Sequence, residues 1–185
     1  MARDGAGISS LDQGIFGSHP ARSMSLKAKL AIALLLLSAL ALVLGALVLP
    51  WWTGAIEGGS FTIDLRHMTM CLHNHCGSPK ALSAADASAT PWAKVGIATM
   101  AASLMAALLS TGVAMRLMLG KPTKTLPWLA GIVALFAGLL GIIFVWAHPD
   151  FGDWTPSYGM ASTFAGALGA AAVSIVGGMI IKPKS

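Results

Sequence analysis

Four long stretches of the chain carry only uncharged, mostly apolar side chains, and the charged residues are confined to the segments between them. The stretches are residues 30–49, 95–115, 126–147 and 158–181. Each has at least the roughly 20 residues that an α-helix needs to cross a hydrocarbon core about 30 Å thick. The pattern predicts an all-α membrane fold, a bundle of four transmembrane helices.

The composition supports this prediction, since 56% of the residues are hydrophobic, 10% are charged and the mean hydropathy is +0.75. Such a chain has too little polar surface to cover a soluble globule of 185 residues. None of the four spans contains Asp, Glu, Lys, Arg or His. Because transporters and proton pumps nearly always place one near the middle of the membrane, we expect no transport through this bundle.

Basic residues are distributed unevenly among the connecting segments. Nine of the twelve lie before the first span, between the second and third, and after the fourth: Arg3, Arg22, Lys27, Lys29, Arg116, Lys121, Lys124, Lys182 and Lys184. The positive-inside rule then predicts cytoplasmic tails at residues 1–29 and 182–185 and outer loops at residues 50–94 and 148–157. These residues form no long basic run, so the net charge of +5 indicates topology and attraction to anionic lipid headgroups rather than nucleic-acid binding.

Five of the six tryptophans lie next to the predicted outer ends of the spans: Trp51, Trp52, Trp92, Trp146 and Trp154. Tryptophan is enriched at membrane–water interfaces, where its ring is in lipid and its N–H is in contact with water. We therefore expect these five side chains to anchor the bundle in the outer interface.

The first outer loop contains a strand pattern. Residues 60–66 alternate apolar and polar side chains after the breaker Gly58-Gly59, and residues 68–72 either continue that strand or return as its hairpin partner. The Ala/Ser-rich residues 81–89 predict a short helix leading into the second span. We expect a small extracytoplasmic β-sheet in this loop.

The same loop holds the only two cysteines of the chain, Cys71 and Cys76, with four residues between them. Cysteines on the outer side of a membrane are in an oxidising compartment. A disulfide between them is the first expectation, and it requires no cofactor.

A metal site is the alternative for this loop. Thioether and imidazole groups are concentrated here and at the end of the third span: His67, Met68, Met70, His73, His75 and His148. Soft sulfur with imidazole suits copper(I) or zinc, and His73 and His75 would point to the same side of a strand. The spacing matches no established zinc pattern, and a disulfide would consume both thiolates.

Small residues recur at every fourth position of the fourth span: Ser162, Gly166, Ala170, Ser174 and Gly178. In lipid, such a stripe lets two helix backbones approach closely. It can form an oligomer interface or pack inside the bundle. We expect internal packing, because a four-helix bundle needs these contacts in any case.

The first outer loop opens with Pro50-Trp51-Trp52 and then carries Leu65 before the pair Cys71 and Cys76. This arrangement resembles the claudin superfamily, which includes the peripheral myelin protein type. The resemblance implies four spans, cytoplasmic termini, a disulfide-bonded sheet in the first outer loop and a shorter second outer loop. Leu65 and the two cysteines match the family's Gly-Leu-Trp and cysteine pattern, whereas Asp64 and Arg66 replace its glycine and tryptophan.

The chain contains no nucleophile elbow, phosphate-binding glycine loop or carboxylate pair at a useful spacing. Together with the uncharged spans and the structured loop, this favours a non-enzymatic scaffold, adhesion or accessory subunit that binds other membrane proteins or copies of itself. A redox or metal-handling subunit is the second hypothesis. The Ala/Gly-rich composition is typical of a bacterial inner-membrane protein.

Overall fold

The structure, a computed structural model, describes residues 24–73, 75–82, 90–121, 125–147 and 154–180. It contains four long helices: α1 (Leu26–Leu47), α2 (Thr90–Met118), α3 (Thr125–Trp146) and α4 (Tyr158–Ile180). All four are long and apolar enough to cross a membrane. The predicted four-helix membrane fold is therefore confirmed.

The helices begin and end a few residues away from the predicted spans. At the start of α1, Ser25 Oγ accepts the backbone N–H of Ala28 at 3.3 Å and caps the helix inside the segment predicted as a tail. At both ends, α2 continues past charged side chains, Lys94 and Arg116. Long basic side chains can extend from a helix end to water, so charge marks the limit of the apolar stretch but not of the helix. The tails at 1–23 and 181–185 and most of the predicted helix at 81–89 lie outside the described residues.

Each helix packs against two neighbours, in the cyclic order α1, α2, α3, α4. The middle of the bundle is filled mainly by alanine side chains around Leu42: Ala39, Ala106, Ala107, Ala134, Ala167, Ala170 and Ala171. Because these side chains are small, the backbones of neighbouring helices come close together.

The small-residue stripe packs inside the bundle. Ser162 Oγ donates a hydrogen bond to the carbonyl oxygen of Ala41 in α1 at 2.8 Å. A Cβ atom on Gly166 would lie only 2.8 Å from the carbonyl oxygen of Ser38. Ala170 and Ser174 are at most 1% exposed. The stripe is thus an internal contact over these four residues, whereas the surroundings of Gly178 lie outside the described side chains.

Six short strands form one antiparallel sheet at one end of the bundle: β1 (Trp52–Ile56), β2 (Gly59–Ile63), β3 (His67–Leu72), β4 (His75–Cys76), β5 (Lys80–Ala81) and β6 (Trp154–Pro156). The order is β4-β3-β2-β1-β6, and β5 also pairs with β3. Residues 68–72 therefore return as the hairpin partner of β2. The turn forms at Asp64, whose Oδ1 accepts the backbone N–H groups of Arg66 at 2.6 Å and His67 at 2.7 Å.

The loop between α3 and α4 adds a strand to this sheet. In β6, Thr155 lies opposite Thr53 of β1. The sequence did not predict this strand, because three residues are too few to show an alternating pattern. The sheet is consequently built from both loops and joins the end of α1 to the start of α4.

Two tryptophan side chains hydrogen-bond to the ends of helices beneath the sheet: Trp51, directly before β1, and Trp92, in the first turn of α2. The indole N–H of Trp51 donates to the carbonyl oxygen of Gly45 at 2.7 Å, and that of Trp92 donates to the carbonyl oxygen of Phe144 at 2.8 Å. Both carbonyls belong to the last turns of α1 and α3, where backbone carbonyls lose their partners within the helix. The ring of Phe144 stacks on Trp92 at 4.6 Å and meets Trp51 edge-on at 5.3 Å.

These contacts correct one prediction. Trp51, Trp52 and Trp92 are at most 4% exposed, so they are core residues beneath the sheet and do not anchor the bundle in the lipid interface. Proximity to a span end suggested the interface, but the sheet covers that end of the bundle. Trp146 is 86% exposed, and its interfacial role stays a prediction. The side chain of Trp154 lies outside the described part of the structure.

Candidate functional site

The sheet has an apolar face towards the bundle. Residues opposite each other in an antiparallel register place their side chains on the same face. Ile63 pairs with Trp52 on one side and Met68 on the other, and Phe61 pairs with Met70. Ile63 and Phe61 are at most 5% exposed within the core. The side chains that face the bundle therefore include Trp52, Phe61 and Ile63 and, on β3, Met68 and Met70.

The opposite face carries small polar side chains. Thr155, Thr53, Thr62 and Thr69 lie in register across four strands. At one end of this row, the hydroxyl of Thr155 donates to the carbonyl oxygen of Thr53 at 2.9 Å. This face presents uncharged hydroxyl groups away from the bundle, which is the surface expected of a sheet that is wet on one side.

Cys71 and Cys76 lie opposite each other in β3 and β4 and form a disulfide with an S–S distance of 2.04 Å. The predicted disulfide is present. It joins the two-residue strand β4 to β3, and it leaves no thiolate for a metal, since the chain has no other cysteine.

His73 lies in the turn between β3 and β4 and has a positive φ of 47°. Its backbone N–H donates to the carbonyl oxygen of Gly58 at 3.0 Å, which holds this turn against the β1–β2 turn. The prediction that His73 and His75 share one side of a strand is therefore wrong, because only His75 belongs to a strand.

An open concavity of about 630 Å³ lies on the bundle-facing side of β3. Its lining consists of Met68, Met70, Leu72, His75, Cys76, Gly77, Ser78 and Lys80. Met70 is 46% exposed and Leu72 is 48% exposed, whereas Phe61 on the same face is 5% exposed. The apolar face of the sheet thus extends beyond the bundle that covers the rest of it. We call this part the overhang: Met70, Leu72 and His75 are exposed, and Met68 is half-buried at its inner edge.

The structure divides the six predicted metal ligands. Met68, Met70 and His75 line the concavity. His67 lies on the opposite face, with Nδ1 3.7 Å from Oδ1 of Asp64. His73 is in the turn, and His148 lies outside the described residues. In the described part of the chain, no three His, Cys, Asp or Glu side chains come together as a metal site, so the overhang offers two thioethers and one imidazole.

The two ends of the bundle differ in charge among the described residues. The sheet end carries both signs: Glu57, Asp64, Arg66, Lys80 and Lys94. The opposite end, which we call the far end, lies where α1 and α3 begin and α2 and α4 end. Its described ionisable side chains are all basic: Lys27, Lys29, Arg116 and Lys121.

No family model matches the chain, and no curated protein matches it. The resemblance to claudins therefore depends on the four-span topology and on the loop residues alone, and a function has to be argued from the geometry of the sheet and the bundle.

Proposed function

We propose that this integral membrane protein is a non-enzymatic, claudin-like scaffold or accessory subunit that docks a neighbouring membrane protein on its overhang. One observation carries the proposal. The face of the sheet that buries Phe61 and Ile63 continues outwards with Met70 and Leu72 about half exposed. An apolar surface beside the bundle, at the level of the membrane surface, is where a lateral neighbour would make contact.

The sheet is held rigidly enough to serve as a docking surface. The backbone N–H of Trp51 donates to the carbonyl oxygen of Ile63 at 2.7 Å, and the N–H of Ser157 donates to the carbonyl oxygen of Trp51 at 2.9 Å. Leu65 at the β2–β3 turn is fully buried, and its carbonyl oxygen lies against Gly96 of α2. A surface fixed in advance loses less conformational entropy on binding than a flexible loop does.

The overhang also indicates the chemistry of its partner. Its concavity is lined mainly by apolar groups, together with His75, Ser78 and one cation, Lys80, and no acidic side chain lines it among the described residues. We expect the partner to present an apolar ridge with a carboxylate or carbonyl group near Lys80. Methionine suits such a role because its flexible thioether adapts to irregular surfaces.

Site-specific photocrosslinking in cells tests the docking surface. A photoreactive residue at Met70 should form a crosslinked adduct, and the same residue at Thr62, on the opposite face, should not. Leu72→Glu should reduce co-purification of the partner in mild detergent, with Thr62→Glu as the control of equal charge. Crosslinking at Thr62 without crosslinking at Met70 would show that the wrong face was chosen.

We further propose that the sheet is extracytoplasmic and that both termini are cytoplasmic, in a bacterial inner membrane. The basic far end supports this orientation under the positive-inside rule. A membrane-impermeant thiol reagent should label Cys71 and Cys76 in intact cells after reduction. Labelling only after the inner membrane is disrupted would reverse the orientation.

Copper(I) binding at the overhang is the second candidate function. It is favoured by the convergence of Met68, Met70 and His75 on one concavity. Thioether sulfur and imidazole suit copper(I), whereas zinc prefers thiolate, imidazole and carboxylate ligands and would find one imidazole here. Bound there, copper(I) would be cargo or a structural ion.

Competition against a chromogenic copper(I) chelator tests this candidate. Met70→Leu and His75→Ala should each weaken copper(I) binding by at least tenfold, and His67→Ala, on the opposite face, should leave it unchanged. Met70→Leu keeps the overhang apolar, so it should retain the docked partner. Equal copper(I) affinity in all four proteins would reject the metal hypothesis and leave docking intact.

A further inference from the structure

A cavity of about 240 Å³ opens between the four helices at the far end of the bundle. Ala31 and Leu35 of α1, Val113 of α2 and Val173 of α4 contribute to its mostly apolar lining. The volume equals about eight water molecules at roughly 30 Å³ each, yet an apolar lining gives water few hydrogen bonds. The space suits part of a hydrocarbon chain better than a water cluster.

Polar groups are present in the same lining. Ser174 is 1% exposed, and its Oγ has no hydrogen-bond partner among the described residues. A buried hydroxyl without a partner costs free energy, so a ligand that accepts its hydrogen bond gains affinity. Lys27 and Ser25 also line the cavity, and Lys27 is exposed. The cavity therefore has a cationic mouth and a hydroxyl group inside.

The depths of these groups follow from the packing of α1 on α4. Ser162 bonds to Ala41, and Gly166 lies against Ser38. This antiparallel register places Ser174 near the level of Leu30, about one helical turn, or roughly 5 Å, deeper than Lys27. From the mouth inwards, a ligand meets a cation, then a hydroxyl donor, then apolar side chains.

The surrounding field favours an anion at the mouth. The first turn of α1 contains no acidic residue, so no carboxylate offsets the partial positive charge of its N–H groups, of which the hydroxyl of Ser25 caps one. Lys29, Arg116 and Lys121 add three more positive charges at this end, and the described part of the far end has no acidic side chain.

We propose that this cavity binds one anionic glycerophospholipid from the adjacent leaflet. The phosphate lies beside Lys27, an ester carbonyl accepts the hydrogen bond of Ser174, and the upper part of an acyl chain occupies the apolar part of the cavity. A fatty acid lacks the carbonyl one turn below the anion, and a zwitterionic lipid lacks the net charge. The site is remote from the overhang and does not depend on the proposed docking function.

Native mass spectrometry of the full chain in mild detergent measures this binding. Phosphatidylglycerol should form a one-to-one adduct more tightly than phosphatidylcholine or oleate. Lys27→Gln should weaken that adduct about fivefold, the effect of one basic residue near an anionic lipid. Lys29→Gln removes an equal charge from a residue that does not line the cavity, and it should change binding less than twofold.

Two further arms test the inside of the cavity. Val173→Phe or Ala31→Leu should fill the space and abolish the adduct; two variants on different helices are used in case one of them fails to fold. The wild type should prefer diester phosphatidylglycerol over its ether-linked analogue, and Ser174→Ala should remove that preference.

Equal losses in Lys27→Gln and Lys29→Gln would overturn the site in favour of general attraction to lipid headgroups. Retention of the adduct in both cavity-filling variants would overturn the use of the cavity. Equal binding of ester and ether lipids by the wild type would overturn the role of Ser174. If oleate binds as tightly as phosphatidylglycerol, a fatty acid is sufficient for binding, and the proposed preference for a glycerophospholipid is overturned.

Discussion

The two cores of this molecule are built from opposite kinds of side chain. Beneath the sheet, large residues such as Trp51, Phe144 and Leu65 are fully buried. In the middle of the bundle, the core consists mostly of alanines with Ser38 and Gly166 at the α1–α4 contact. The core beneath the sheet, which we call the upper core, is formed by removing apolar surface from water, so large side chains stabilise it. In lipid that driving force is absent, and close backbone packing replaces it.

The largest expected effect comes from the upper core. Trp51→Ala removes the whole indole, its contact with Phe144 and its hydrogen bond to Gly45. We expect the free energy of unfolding to fall by about 3–5 kcal/mol. Thermal unfolding in mild detergent, followed by circular dichroism, measures the change. Trp146→Ala, at an 86% exposed position, is the matched control and should leave stability nearly unchanged.

The stability of the alanine-rich core in the middle of the bundle should be more sensitive to side chains that add volume than to side chains that remove it. Gly166→Leu forces α1 and α4 apart, and we expect a loss of about 1–3 kcal/mol in the same unfolding assay. Leu168→Ala, two residues along α4 at a 65% exposed position, should have little effect. If Gly166→Leu and Ala170→Leu both purify with unchanged stability, the close packing described between α1 and α4 is not required.

Removing the disulfide should have a smaller and more local effect. Cys71→Ser with Cys76→Ser opens a short ring, which the chain-entropy model values at about 2 kcal/mol. We expect β4 to become sensitive to protease while β1 and β2 remain protected. Mass spectrometry of the non-reduced wild type should show a loss of two hydrogens in the peptide that holds both cysteines. Free thiols in that peptide would contradict the prediction.

The smallest expected effect separates the two faces of β2. Ile63→Val removes one methylene from the upper core and should cost about 0.5–1.5 kcal/mol. Thr62→Val changes the neighbouring side chain, which is exposed on the outer face, and should shift stability by less than about 0.5 kcal/mol. Equal losses in the two variants would mean that the outer face is also covered.

The helices could be predicted from sequence because a run of about 20 uncharged residues leaves few alternatives. The disulfide could be predicted because the chain has only one pair of cysteines, five positions apart, in the loop that the charge pattern assigns to the outer side. The tryptophans could not be placed in the same way, since Trp51 and Trp146 both flank a span and yet one is buried and the other exposed. Whether each tryptophan is buried depends on whether the sheet covers its part of the bundle surface.

The overhang depends on register, and register is a property of the paired strands rather than of one of them. The turn at Asp64 places Met70 opposite Phe61 and thus on the bundle-facing side. A shift of one residue would turn every side chain of β3 to the opposite face. The sequence showed a cluster of possible ligands, but only the pairing shows that His67 is separated from Met68, Met70 and His75.

Because β6 is the last strand of the chain and pairs with β1, the sheet can be completed only late in the synthesis of the protein. Strands β1, β2 and β3 come from one loop and can pair as soon as that loop has been made, but β6 follows only after α3. Until then, the edge of β1 has unpaired backbone groups that another strand could bind. The newly made chain thus passes through a stage in which its sheet can recruit a foreign strand, and the arrival of the last loop ends that stage.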